Sequence, residues 1–159
     1  MTAVSKSDDT ELHRRLGAEL FNKVWDLLGM EKRTPGQDAE MIHTAHASRY
    51  HWSRAENGPR AARGEWLCSW VYSELERPEP ALYHAHRCEA VCREYADELE
   101  DFDLPAMHEA FARAQLVAGN REEAMHRLKL ASDLCAAIAD PEDREIIQAQ
   151  IDSIAHTAA

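Results

Sequence analysis

The sequence predicts an all-α fold in which antiparallel helix pairs are stacked. Small and apolar residues recur three and four positions apart along most of the chain, which is the spacing of one face of an α-helix. No segment shows the sustained alternation of apolar and polar residues that a half-buried strand requires. We therefore expect seven helices, three pairs followed by a capping helix, at about 9–30, 35–56, 59–77, 78–97, 105–118, 120–139 and 141–157.

Composition indicates one globular domain over residues 1–159. Hydrophobic residues make up 45% and charged residues 30% of the chain, as in ordinary soluble domains. A chain of this length can bury enough surface to fold without disulfides. We expect the polar residues 1–10 to be flexible, with the helix pairs at about 11–56, 59–97 and 105–139 and the capping helix at 141–157.

The formal net charge of −11 limits the classes of partner. Nucleic acids and anionic membranes both need a basic surface, so we expect neither as a partner. A basic protein or peptide fits this charge. The simpler interpretation is that the charge keeps a helical protein soluble.

The cysteines predict reduced thiols in a cytoplasmic protein. None of the four, Cys68, Cys88, Cys92 and Cys135, stands in a Cys-x-x-Cys pattern, and no apolar signal segment or long apolar run is present. His84 precedes Cys88 and Cys92 on one helical stripe, for which core packing is the favoured explanation.

Helix starts are marked by proline and by capping residues. Proline suits the first turn of a helix, where its missing N–H is not needed. Thr34 and Asp140 each precede such a proline and are expected to be N-caps. The prolines concerned are Pro35, Pro59, Pro78, Pro105 and Pro141.

The second helix of each pair carries the same four-three-four spacing of small or apolar residues. The sets are Met41, Ala45, Ser48 and Trp52; Ala81, Ala85, Cys88 and Cys92; and Ala124, Leu128, Ala131 and Cys135. Gly29, Ser69 and Ala112 stand at one common distance before these sets, and we expect them where paired helices touch.

The segment from Glu109 to Cys135 resembles the tetratricopeptide (TPR) helical hairpin. Small residues at Ala112, Ala124 and Ala131 and the turn at Gly119 stand where that family has them. The sets repeat after 40 and 43 residues, compared with about 34 in the family. The resemblance implies a right-handed stack of three TPR-like units with a concave groove lined by the first helix of each pair. The groove residues so implied are Trp25, Trp66, Arg63, Tyr72, Arg113 and Gln115.

The two ends of the stack need covering helices, as repeat proteins do. The last helix carries Ile147, Ile151 and Ile154 on one face and is expected to cap the stack. The leucine-rich first helix can close the other end.

The helix over 40–52 is unusually rich in polar and aromatic residues. Arg49, His51 and Trp52 are expected on or beside its inward face, near Trp66, where they would form either a polar small-ligand pocket or an internal packing network. For Arg49 the alternatives are an ion pair with Glu65 or Glu74 and an anion-binding site.

The outward side of the same helix offers a metal alternative. Glu40, His43 and His46 could share a divalent metal, although exposed histidines without one are the commoner case. We therefore expect no cofactor, with a divalent metal left open. Around Ala45-His46-Ala47-Ser48-Arg49 and His51-Trp52 the helix is similar to short, uncharacterised bacterial TPR-like proteins, which implies no particular function.

Taken together, these features predict a non-enzymatic module that binds a protein or peptide. The alternative from another class is a small-ligand-binding or metal-binding protein, or an enzyme, with its site on helix 40–52. A self-associating structural protein is a third. The sequence carries no Gly-rich phosphate loop, Gly-x-Ser-x-Gly elbow or His-Glu-x-x-His motif.

Overall fold

A computed structural model describes residues 6–56 and 58–158, and within them the chain contains seven α-helices, one short 3₁₀ helix and no strand. The all-α prediction is therefore confirmed. The helices are α1 (Lys6–Leu28), α2 (Pro35–Ala55), α3 (Pro59–Glu74), α4 (Pro78–Glu94), α5 (Asp103–Val117), α6 (Arg121–Cys135) and α7 (Pro141–Ala158), with the 3₁₀ turn at Ala96–Glu98. Of the segment that we expect to be flexible, residues 6–10 are helical and residues 1–5 lie outside the described residues.

The helices pack as three antiparallel pairs followed by a cap. The helix α1 packs along α2, α3 along α4, and α5 along α6, and successive pairs are joined by contacts of α2 with α3 and of α4 with α5. The helix α3 also contacts α5, and α7 contacts both helices of the last pair. One layer of the stack is thus formed by α1, α3, α5 and α7, of which the resemblance implies the first three.

Capping residues fix the helix starts as expected. The Thr34 hydroxyl accepts a hydrogen bond from the Gln37 N–H at 3.3 Å, and the Gln37 side chain accepts one from the Thr34 N–H at 2.8 Å. The Asp140 carboxylate accepts hydrogen bonds from the Glu142 N–H at 2.8 Å and from the Asp143 N–H at 3.3 Å. Each pair of bonds uses backbone groups that a helix end otherwise leaves unpaired.

The helical frame is confirmed by burial, since all members of the three four-three-four sets are buried. The core forms two clusters. The larger one joins α1 to α5, and the smaller one packs the isoleucines of α7 against α5 and α6. The capping helix therefore buries apolar surface that the last pair would otherwise expose.

The expected position of Gly29 is wrong. Gly29 lies exposed in the turn after α1, and Gly17 makes the close contact instead. A Cβ on Gly17 would lie 2.9 Å from the Trp52 ring, and the Ser48 hydroxyl donates to the Gly17 carbonyl at 2.8 Å. The reason is the loop between α1 and α2, which moves the contact toward the middle of α1.

None of the helices in the described part of the chain combines the length and the apolar composition that crossing a membrane requires.

Candidate functional site

The layer formed by α1, α3, α5 and α7 lines an open cavity of about 420 Å³, which we call the inner cavity. Helix α4 and the turn before α5 complete its walls. The lining residues are Phe21, Trp25, Ala62, Arg63, Trp66, Cys88, Cys92, Phe102, Asp103, Ala106, Met107, Asp143, Ile146, Ile147 and Gln150.

One wall of the inner cavity is aromatic. The indoles of Trp25 and Trp66 lie 5.7 Å apart between ring centroids, and Phe21 lies 6.4 Å from Trp66. Trp70 stands edge-on to both indoles behind them. These contacts follow from sequence spacing, because Phe21 and Trp25, like Trp66 and Trp70, are four residues apart on one helix face. The wall is therefore large, apolar and held in one orientation.

A buried carboxylate fixes this wall from behind. Glu109 on α5 is fully buried, and its side chain accepts a hydrogen bond from the Trp66 indole N–H at 3.1 Å. The Arg113 guanidinium donates to the same carboxylate at 2.9 Å and lies over the Trp70 ring at 3.8 Å. It also donates to Ser153 on α7 at 3.2 Å. Arg113 therefore supports the cavity and joins α5 to α7, whereas Trp66 lines it.

The Arg63 guanidinium, which also lines the cavity, forms an ion pair with a buried carboxylate. It donates two hydrogen bonds to Asp103, at 2.8 and 2.9 Å, and lies over the Phe102 ring at 4.8 Å. The hydrogen bond with Asp103 raises the pKa of Arg63, against the opposing effect of burial. Because the two charges compensate each other, this side of the cavity is close to neutral.

Helix α7 contributes two hydrogen-bond acceptors whose partners are missing. Asp143 is half-buried, and no cation within residues 6–56 and 58–158 pairs with its carboxylate. The side-chain amide oxygen of Gln150 is buried without a hydrogen-bond partner among the same residues. A buried acceptor such as the Gln150 oxygen costs free energy unless something donates to it, whereas the half-buried Asp143 carboxylate is partly open to solvent. Ile146, 51% exposed, marks the mouth of the cavity beside them.

The residues of helix 40–52 are distributed over three different environments. Arg49 donates to Glu65 at 3.0 Å, one of the two ion pairs that the sequence suggests, while Glu74 pairs with Arg33 instead. Burial disfavours the charged form of Glu65, but the hydrogen bond from His84 and the Arg49 charge outweigh it and lower the pKa of Glu65.

The other two residues of that group point elsewhere. His51 contacts His13 with 2.7 Å between their Nδ1 atoms, and burial together with His13 lowers the pKa of His51. Trp52 is buried and lines a smaller cavity of about 260 Å³, where Arg60 lies over its ring at 4.4 Å. Arg49, His51 and Trp52 are therefore not assembled around one pocket with Trp66, because neighbouring residues of a helix point in different directions.

Two further groove residues lie outside the inner cavity. The Tyr72 hydroxyl is 3.0 Å from His46 Nε2, and the Tyr72 ring stacks on His84. Tyr72 thus faces α2 and α4 rather than the cavity. Gln115 accepts a hydrogen bond from Asn120 at 2.8 Å, at the far end of α5.

The metal set suggested by the sequence is not assembled. Glu40 pairs with Lys23, and His43 is exposed. His46, expected to point outward, is half-buried because it packs between Tyr72 and His84. It lies instead with Cys68 and His84, in a group whose ligand atoms are all within 4.8 Å of one another.

Some contributors to these sites give no sequence signal. Asp143 occurs in the first turn of α7, where an acidic residue is expected for helix stability alone. Cys68 and His46 belong to different helices, so only the packing of α2 against α3 brings them together.

Comparison of the chain with protein-family models, with curated proteins and with solved structures gave no match in any of the three.

Proposed function

We propose that this chain is a non-enzymatic helical-repeat module that binds a peptide segment of a partner protein. The segment inserts an apolar side chain into the inner cavity and places a basic group beside it. The observation that carries the proposal is the combination of apolar walls with a buried, unpartnered Gln150 oxygen and with an Asp143 carboxylate that has no counter-charge among the described residues.

The apolar walls favour an apolar anchor. Trp25, Trp66, Met107 and Ile147 present hydrophobic surface to the cavity, and its volume falls within the roughly 300–1,000 Å³ range of ligand pockets. Single aromatic or aliphatic side chains buried in such pockets supply most of the free energy of many protein interfaces.

The acceptors favour a donor next to that anchor. Within the described part of the chain, the Asp143 carboxylate has no counter-charge and the buried Gln150 amide oxygen has no donor. A lysine or arginine side chain and a backbone N–H of the segment satisfy both. The net charge of −11 also speeds encounter with a basic segment.

A small apolar molecule that carries an ammonium group is the second candidate, since it would use the same contacts. The volume of the cavity, about 420 Å³, is within the range of small-molecule pockets. The alternative site on helix 40–52 has less support, because Arg49 and His51 already have partners within the fold.

Selection from a displayed random-peptide library tests the proposal. Wild-type protein should enrich peptides in which an apolar residue lies near lysine or arginine. Ala106→Trp fills the cavity from α5 and should abolish binding of the enriched peptides, while Ala149→Trp, on the exposed face of α7, should leave it unchanged. Asp143→Asn should remove the preference for the basic residue but retain that for the apolar one.

Enriched peptides that bind Ala106→Trp as well as wild type would refute the inner cavity as the site. The small-molecule candidate would be favoured by two results together. The library yields no enriched peptide, and a cationic apolar amine shifts the melting temperature of wild type but not that of Ala106→Trp.

A further inference from the structure

We propose that His46, Cys68 and His84 form a binding site for one zinc ion between α2, α3 and α4. This site is independent of the proposed peptide function, because none of the three residues lines the inner cavity.

The distances between the three side chains resemble those of a metal site. The candidate ligand atoms lie within 4.8 Å of one another, and Cys68 Sγ is 4.0 Å from His46 Nδ1. Around tetrahedral zinc, with bonds of about 2.0–2.3 Å, ligand atoms are separated by about 3.3–3.8 Å. Side-chain adjustments of about 1 Å therefore complete the site.

A carboxylate orients His84 for coordination. Glu65 Oε2 lies 2.7 Å from His84 Nδ1, which leaves Nε2 as the nitrogen that can bind the ion. Glu65 is itself held by Arg49 at 3.0 Å. Carboxylate–histidine pairs of this kind are the usual support of metal-binding imidazoles, since they fix the ring and its tautomer.

Tyr72 orients His46 in the same way. Its hydroxyl lies 3.0 Å from His46 Nε2, so that Nδ1 faces Cys68. Both imidazoles thus have one nitrogen engaged by the protein, and in His46 the other nitrogen faces Cys68. Such hydrogen bonds to one ring nitrogen leave the other nitrogen of each imidazole available to bind an ion.

The set of ligands selects the metal. One thiolate and two imidazoles suit zinc, whereas Mg²⁺ and Ca²⁺ need oxygen ligands. Coordination replaces the S–H bond of Cys68 with a sulfur–zinc bond and releases the proton to solvent. The three residues leave one tetrahedral position for water.

Calorimetric titration of untagged, chelator-treated protein with ZnCl₂ tests the site, and CoCl₂ serves as the spectroscopic probe. Wild type should bind one equivalent of zinc. Cobalt should produce a thiolate-to-metal charge-transfer band in the near ultraviolet and visible bands typical of tetrahedral Co²⁺.

The variants are chosen to keep the surrounding hydrogen bonds. His84→Asn retains a hydrogen-bond donor near the position of Nδ1 for Glu65 but lacks Nε2. His46→Gln retains a polar group near the position of Nε2 for Tyr72 but lacks Nδ1. Cys68→Ala removes the sulfur. Each variant should weaken zinc binding by more than the roughly 10–100-fold that is typical when a residue hydrogen-bonded to a metal ligand is removed. His43→Gln, on the same helix, and Cys135→Ala, at a buried cysteine that lines neither site, should bind zinc like wild type.

Three results would each overturn the proposal. They are a wild type that does not bind zinc stoichiometrically, a cobalt spectrum without the thiolate band, and undiminished zinc binding by His84→Asn and Cys68→Ala. The cobalt spectrum of wild type decides the matter even where a variant does not fold. Peptide selection at the inner cavity has no part in any of these outcomes.

Discussion

A single buried carboxylate, Glu109, holds together much of the candidate binding site. It has no exposed surface, and it accepts hydrogen bonds from the Trp66 indole and from Arg113. Because Arg113 also covers Trp70 and contacts α7, the Glu109 side chain sets the positions of two cavity walls. Its role is structural, and its effect on binding is exerted through Trp66.

Glu109→Gln is expected to lower the free energy of unfolding by about 3 kcal/mol, since removing one charge from a buried pair costs about 3–5 kcal/mol and Arg113 keeps 17% of its side chain exposed. Denaturant unfolding measures this loss. The matched control is Glu123→Gln, which breaks an ion pair of the same spacing with Arg127 at a carboxylate that is 42% exposed, and which should cost less than about 1 kcal/mol. Equal losses in the two variants would contradict the role given to Glu109.

Arg49 and Tyr72 show what residue types reveal without a structure. A half-buried arginine needs an acceptor, so the sequence could propose Glu65 as the partner of Arg49. The resemblance to the TPR hairpin implies that Tyr72 lies in the groove, because Tyr72 belongs to a helix that lines the groove. Its side chain points to α2 and α4 instead, since the repeat pattern identifies the helix but does not fix where every face of it points.

Among the elements, α2 and α3 approach each other closely at Gly64. A Cβ there would lie 2.7 Å from Arg49 Cδ and 3.2 Å from the backbone Cα of Arg49. This contact places the Arg49 side chain beside Glu65, so the same glycine contributes to the charge network at the zinc site.

Gly64→Ala should therefore destabilise the protein by about 1–3 kcal/mol, because the added methyl group must push two packed helices apart. Gly36→Ala is the control, since Gly36 also lies in a helix but a Cβ there would meet nothing closer than 3.8 Å. That control should stabilise the helix by up to about 0.5–1 kcal/mol. Thermal unfolding of the two variants should move in opposite directions, and a shared direction would count against the close packing of α2 on α3.

The starts of the helices were more predictable than their ends. Proline and capping residues mark the starts, and the starts of α2, α3, α4 and α7 agree with the sequence to the residue. The ends carry weaker signals, and α6 ends at Cys135, before the predicted 139. Gly17 and Gly29 illustrate the same limit, because the sequence alone does not show which of these two glycines meets α2.

At the scale of the whole molecule, the candidate site could be predicted only in part. The resemblance to the TPR hairpin implies the groove-lining layer and three of its residues, Trp25, Trp66 and Arg63. The inner cavity lies between the helices that this resemblance implies. The part played by α7 did not follow, because Asp143 and Gln150 gain their importance from the packing of α7 on α5 and α6, which brings them to a cavity that α1 and α3 also line. The relative placement of whole helices depends on all of their packing contacts and has no local sequence signal.

Stability should fall as the pH drops below 6.5, the ordinary histidine pKa. Burial and then the Arg127 charge lower the pKa of His108 despite the opposing charge of Glu89, and burial and then His13 lower the pKa of His51. The unfolded chain therefore takes up protons at a higher pH than the folded one, so stability is lost as the pH falls through the folded-state pKa values.

Melting temperatures measured across this range in the presence of a chelator should show the fall, and His108→Gln should make it shallower. His156→Gln, at an exposed position on α7, should not change it. A melting temperature that rises on acidification would contradict the assigned direction.

The four tryptophans allow the most direct measurement of the inner cavity as a binding site. Trp25 and Trp66 line the inner cavity, while Trp52 lines the smaller one and serves as an internal reference. In ¹H–¹⁵N spectra of the indole N–H groups, titration with a selected peptide should shift the Trp25 and Trp66 signals in a saturable manner and leave the Trp52 signal nearly unchanged. Ala106→Trp should abolish these shifts. Saturable binding that shifts Trp52 and leaves Trp25 and Trp66 unmoved would contradict the account.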